Sequence, residues 1–227
     1  MRGFSDADLA QANTGTASSA SSVNATVPAG TTEGNVGIIA MMAATVVAAP
    51  DQWDIIAAAG GGELVIMCRS DLPAGESSWP FTALVSTNWT WAAGEWVNVA
   101  SAPTETSVSA DGLAGASSVS TGSTGTFSTQ FVMGVAAFGI WSQGGSAWPS
   151  VSYDNGFTET DSVQVGTGTG VLDILLKVCR RYGTDSETGP WSCTATFTGD
   201  MTSKTPYAAL AVFRTQETAL PPLVVVS

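Results

Sequence analysis

Five carboxylates and three indole rings are the side chains through which this chain could do chemistry. Glu76, Glu95, Asp154, Glu159 and Asp161 stand in or beside turns and apolar runs. A glycosidase needs two carboxyl groups facing each other across a cleft, one acting as acid and the other as base or nucleophile. These five could supply such a pair, although carboxylates in turns are more often solvated. Asp154-Asn155-Gly156 has the start of a calcium loop but lacks the remaining oxygen ligands, so a plain turn accounts for it. Trp89, Trp91 and Trp148 could stack on sugar rings if they shared an exposed face. The same rings alternate with small residues, as core strands do, and Trp carries the largest apolar area available to a core.

Other chemistry is excluded by composition. The chain contains no His, which removes Ser-His-Asp, Cys-His and His-metal mechanisms. It has no GxSxG elbow, phosphate loop or dinucleotide fingerprint. Cys68, Cys179 and Cys193 show neither CxxC nor a metal-ligand spacing. Cys68 and Cys179 lie in apolar runs, where a thiol packs as a small core residue. Three free thiols suit a reducing cytoplasm; a Cys179–Cys193 bridge between neighbouring strands is the alternative. Arg69, Arg180 and Arg181 follow apolar runs and are expected to pair with nearby acids. The residues therefore predict no catalytic, metal or cofactor site, and no enzyme.

A net charge of −12, from 7 Lys and Arg against 19 Asp and Glu, argues against binding nucleic acid through its phosphates. It equally disfavours anionic membranes. The most apolar stretch, Val36 to Ala49, is too short to span a bilayer, so no membrane insertion is expected. The opening MRGFSDADLAQANTG has no apolar core, and no signal peptide is expected. The expected site of synthesis is the cytoplasm, without secretion.

The elements that must hold these residues are strands. Val36 to Met42, Leu64 to Cys68, Thr129 to Ile140 and Val171 to Cys179 are apolar runs of strand length, expected to be core strands. Two stretches repeat one plan: GELVIMCRSDLPAGESSWPFTALVSTNWTWAAGEWVNVA and GVLDILLKVCRRYGTDSETGPWSCTATFTGDMTSKTPYAALAVF. In each, a core run ends in Cys-Arg, at Cys68-Arg69 and Cys179-Arg180. A turn follows, then a Trp-led alternating run and a last apolar segment. Pro50 to Trp53 and Asp154 to Phe157 are matching turns. Self-similarity at so long a period points to a duplicated β unit. The expected fold is all-β: a single jelly-roll-like β-sandwich built from two sequence-related halves, about 23–105 and 106–215. The two halves should share a core.

Two ends flank that sandwich. Residues 1–22 form an N-terminal arm, anchored by Phe4 and Leu9. Its Ser, Thr and Ala run is too polar to order alone, so a neighbouring subunit is expected to hold it. Residues 216–227 form a C-terminal tail. Leu220-Pro221-Pro222 breaks the sheet. Leu223, Val224, Val225 and Val226 then either close the chain's own sheet or add a strand to another subunit.

The segments SVNATVPAGTTEGNVGIIAMMA, PDQW and ELVIMCRSDLPAGESSWPFTAL together resemble small virion proteins of tailed bacteriophages, of the minor tail protein type. The resemblance spans about residues 20 to 215. The chain departs from it at Glu33-Gly34-Asn35, where Gly-Asp is usual, and its Pro50–Trp53 turn lacks the Gly. The resemblance implies a β-sandwich with no catalytic residues. It implies a structural subunit of the virion at the tail tip or periphery, partnered by other virion proteins and by copies of itself. A decoration protein on the outer capsid is the nearest alternative. From another class comes a carbohydrate-binding module contacting host surface glycans through Trp89, Trp91 and Trp148.

Overall fold

The computed structural model describes residues 7–127, 132–183 and 187–215, and for 101–105 the backbone alone. The expected anchors Phe4, Leu223, Val224, Val225 and Val226 lie outside the described residues. Among those described there is no helix. The protein is an all-β sandwich.

The first half contributes β1 (Asp8–Thr26), β2 (Val36–Ala43), β3 (Val47–Ala48), β4 (Asp54–Ala59), β5 (Leu64–Arg69) and β6 (Ser78–Val97). They form one antiparallel sheet in the order β1-β6-β2-β5-β4, with β3 also pairing β6. The second half contributes β7 (Val99–Asp111), β8 (Ser118–Ser120), β9 (Val132–Gln143), β10 (Ser150–Tyr153), β11 (Thr158–Val165), β12 (Val171–Tyr182), β13 (Thr194–Thr198) and β14 (Lys204–Thr215). It forms a sheet in the order β11-β12-β9-β14-β7 and a smaller one, β10-β13-β8. The change-over falls at Asn98, not near residue 105 as the composition suggests, because Val99 already pairs with Thr215 of the second sheet.

The central strands carry no polar alternation because both of their faces are buried. On β2, Val36, Ile38, Ala40 and Met42 face one core, while Ile39, Met41 and Ala43 face another. The first of these cores is shared. It joins β2, β4, β5 and β6 to β9, β12 and β14 through Leu64, Ile66, Trp96, Val135, Leu176 and Phe213. The opposite face of each large sheet holds a private core. In the first half it is closed by Val23, Ala25, Trp79 and Phe81; in the second, by Val119, Trp191, Cys193, Ala195 and Phe197.

The two halves follow one plan with different strand connections. In the second half, a large sheet is covered by β13 flanked by β8 and β10. In the first, the long strands β1 and β6 curl over to do both jobs. Their far ends, Ser22 to Thr26 and Ser78 to Thr82, pair with each other, and β3 flanks β6 on the other side. Across the shared core β4 lies against β7 as β11 lies against β1, and β5 against β14 as β12 against β6. Such reciprocity is that of an isologous two-fold interface, here formed within one chain.

The structural register of this repeat differs by one residue from the Cys-Arg match. Gly37 pairs with Arg69, and Gly134 with Arg181. Each glycine lies beneath an aromatic ring: Trp53 over Gly37, and Trp191 with Phe157 over Gly134. Arg69 therefore corresponds to Arg181, not to Arg180. A slip of one residue exchanges faces, so Cys68 lies in the shared core and Cys179 in the second half's private core. A Cβ at Gly134 would come within 2.9 Å of Trp191 and 3.1 Å of Phe157. Gly134→Ala should therefore destabilise the protein by about 1–3 kcal/mol, the usual cost of overpacking, read from urea unfolding.

Residues 8–22, expected from their polarity to need a neighbouring subunit, are paired with β6 of the same chain. The register runs from Asp8 opposite Val97 to Thr26 opposite Ser78. Two tryptophans make this possible. The Trp91 ring lies directly over Gly15, leaving no room for a Cβ, and Trp89 Nε1 donates to the Ala20 carbonyl at 2.7 Å. Paired backbone and indole surface offset the ordering entropy that small polar side chains cannot. Leu9 lies on β1, 38% exposed, with its side chain beside Gly94.

Candidate functional site

Each of the five carboxylates has its own partners. Glu76 takes a two-pronged contact from Arg69 Nη1 at 2.9 and 3.1 Å, and its Oε2 accepts Trp79 Nε1 at 2.9 Å. Asp154 Oδ1 accepts the Thr194 backbone N–H at 2.7 Å. Glu159 accepts Lys177 Nζ at 2.9 Å and the Tyr153 hydroxyl at 2.8 Å. Asp161 pairs with Arg180 at 3.1 Å. Arg69 and Arg180 thus pair with local acids as expected, and Arg181 contacts Glu187.

Glu95 is the one buried carboxylate among the described residues, only 1% exposed. Oε1 accepts the Thr32 N–H at 2.7 Å and Asn35 Nδ2 at 2.6 Å, and Oε2 accepts Gln11 Nε2. Burial pushes its pKa up, but the bonds from Gln11, Thr32 and Asn35 more than offset this, and the carboxyl is held below its ordinary value. Gln11 in turn accepts the Ala29 N–H with Oε1 at 2.8 Å. One carboxylate thereby joins β1, β6 and the turn after Pro28.

A related constellation recurs in both halves. Arg69, Glu76 and Trp79 correspond to Arg181, Glu187 and Trp191. The Arg181 guanidinium lies 4.4 Å from the centre of the Trp191 ring and donates to the Asn155 carbonyl at 2.9 Å. These residues, with Ser192 and Pro190, line a hollow of about 380 Å³. Its polar groups are committed to each other: Asn155 Nδ2 donates to both the carbonyl and the hydroxyl of Ser192 at 3.1 Å.

The turn at Asp154 is plain. Phe157 N–H returns to the Asp154 carbonyl at 3.2 Å, and Asn155 takes φ of 54°. Among the described residues no three His, Cys, Asp or Glu side chains are grouped to hold a metal ion.

The three rings considered for glycan stacking are not on one exposed face. Trp89 is fully buried and Trp91 8% exposed; both belong to the private core of the first half. Trp148 is half-buried. It packs against Gly168 and donates to the Gly166 carbonyl at 3.2 Å. The Gly166–Gly170 loop encloses the Asp173 carboxylate, which accepts the Gly168 and Gly170 N–H groups at 3.0 and 2.9 Å.

All three cysteines are buried, free thiols. Burial, followed by the charge of Asp154, pushes Cys193 up to about 12. Burial, followed by the charge of Cys193, raises Cys179. Neither is a nucleophile near neutral pH.

Lys204 was not singled out by sequence reasoning. It is 1% exposed, and its ammonium is shared among the Ser146 carbonyl and hydroxyl and the Asp200 carbonyl at 2.9, 3.0 and 3.2 Å. A lone Lys ahead of an apolar strand was the only signal it offered.

Comparison with protein families, curated proteins and solved structures gives no match to this chain.

Proposed function

We propose that this protein is a non-enzymatic structural subunit of a tailed bacteriophage particle, a minor tail protein at the tail tip or periphery. The reading begins from the likeness of residues 20 to 215 to such proteins. The observation that carries it is where the reactive and sugar-stacking side chains go. Trp89 and Trp91 are buried in holding β1, and Trp148 is packed against a glycine loop. That arrangement favours a structural sandwich over a carbohydrate-binding module, which needs ring faces open to solvent. The carboxylates likewise spend their bonds on joining elements.

On this reading the partners are other virion proteins and the protein's place is the virion. Locating the chain in a reconstructed particle tests it. Density on the tail supports the minor tail role; density on the head lattice replaces it with capsid decoration. Absence from purified particles, with glycan binding by the isolated protein, overturns the reading.

A further inference from the structure

We propose that the outer edge of β1, from Gln11 to Ala17, pairs antiparallel with the same edge of a second copy of this chain. The two large sheets end in four edge strands: β1 and β4 in one, β7 and β11 in the other. A free edge presents unpaired N–H and C=O groups, and proteins guard it with charges, proline, bulges or shortness. Three of the four are guarded. β4 is six residues long, begins with Asp54 and bulges between Ile55 and Ala57. β11 carries Glu159 and Asp161 around a bulge. The sequence of β7 includes Pro103 and Glu105.

β1 is different. It is 19 residues long, and from Leu9 to Thr32 the sequence has no charged residue and only Pro28 as a proline. Between its bulges, the register with β6 is unbroken from Gln11 opposite Glu95 to Ala17 opposite Trp89. Among the described residues, no other strand pairs with β1 on the side away from β6; the Thr14 N–H is held by Oδ1 of the adjacent Asn13 at 3.0 Å, a bond that pairing at Thr14 would displace.

The occupant follows from charge. An uncharged edge on a chain of net charge −12 is where another acidic copy can approach without opposing rows of carboxylates. The segment is also self-complementary about its centre. A two-fold axis at Thr14 sets Thr14 against Thr14 of the second copy, with Gln11 opposite Ala17. Thr14 and Thr16 are exposed, so their side chains do not obstruct the pairing. Main-chain bonds over so short a stretch give a small interface and weak affinity, which a multi-copy assembly would strengthen by raising local concentration. This inference does not depend on the particle role proposed above.

Sedimentation of the full chain from about 1 to 500 µM, a range bracketing affinities of weak interfaces, should show a monomer–dimer equilibrium. Thr14→Glu and Thr14→Lys each set like charges opposite each other across the axis and should weaken dimerisation by about tenfold or more. Mixing the two variants should restore it. In the unsubstituted protein, amide exchange at residues 11–17 should slow as concentration rises. A monomer throughout the range overturns the proposal. So does dimerisation that Thr14→Glu leaves unchanged, or a failure of the mixed variants to recover.

Discussion

Residues 1–98 expressed alone will not give a folded monomer. Although this half has a private core, its other face carries Val36, Ile38, Met42, Leu64 and Ile66, all buried only because the second half covers them. Fully burying one such side chain is worth about 1.5–3 kcal/mol, so exposing these five forfeits on the order of 10 kcal/mol. That is comparable with the whole stability of a typical domain, about 5–15 kcal/mol. The exposed patch would exceed what soluble monomers tolerate. Light scattering should find aggregates, or a dimer using the same face twice, since the interface is isologous. Co-expression with residues 99–227 should yield a soluble one-to-one complex, because the cut at Asn98 falls between β6 and β7 and severs no sheet. A cooperatively unfolding monomer of residues 1–98 would show that the private core suffices and that the shared core is secondary.

Glu95→Gln should cost about 1–3 kcal/mol at pH 7, the penalty for leaving buried donors without an acceptor. The substitution keeps the shape and changes one oxygen to a donor. Three groups facing that position can only donate there, Gln11 Nε2, the Thr32 N–H and Asn35 Nδ2, and only the Thr32 hydroxyl could turn to accept. Gln11 cannot turn its oxygen inward without abandoning the Ala29 N–H. Because Glu95 has its pKa lowered in the folded state, its contribution is fully present above the unfolded carboxyl value and is lost as pH falls through the folded one. The difference between the two proteins should therefore shrink as urea unfolding is repeated from pH 7 down to about pH 3, below the ordinary carboxyl range. A constant difference across that range would mean that packing, not charge, is what Glu95 supplies.

Much of the architecture could be read from residue pattern because it rests on local rules. Apolar runs of strand length, punctuated by Gly, Pro and Asp, placed β2, β5, β9 and β12 to within a few residues. The turns at Pro50 and Asp154 were legible from their own residues; each closes with a backbone bond of 3.1–3.2 Å onto its first carbonyl. The duplication was legible from the order of these signals. Its register was not, because Cys-Arg recurs with a one-residue offset that only pairing across the sheet reveals.

What sequence determined on its own was therefore class: all-β, duplicated, with a continuous core and few groups to spare for chemistry. Tertiary structure decided partnership. Residues 8–22 look unfoldable by composition because a strand of Ala, Ser, Thr and Gly gains almost nothing from its own side chains. It orders because Trp89 and Trp91, many residues away, supply the surface and a hydrogen bond. By the same long-range pairing, rings that could face solvent are buried. Glu95, one of five candidate carboxylates in the sequence, becomes the one that joins three segments. Period and propensity act between neighbours in the chain, whereas these assignments depend on which face of which sheet a distant segment covers, and that is settled only when the sheets pack.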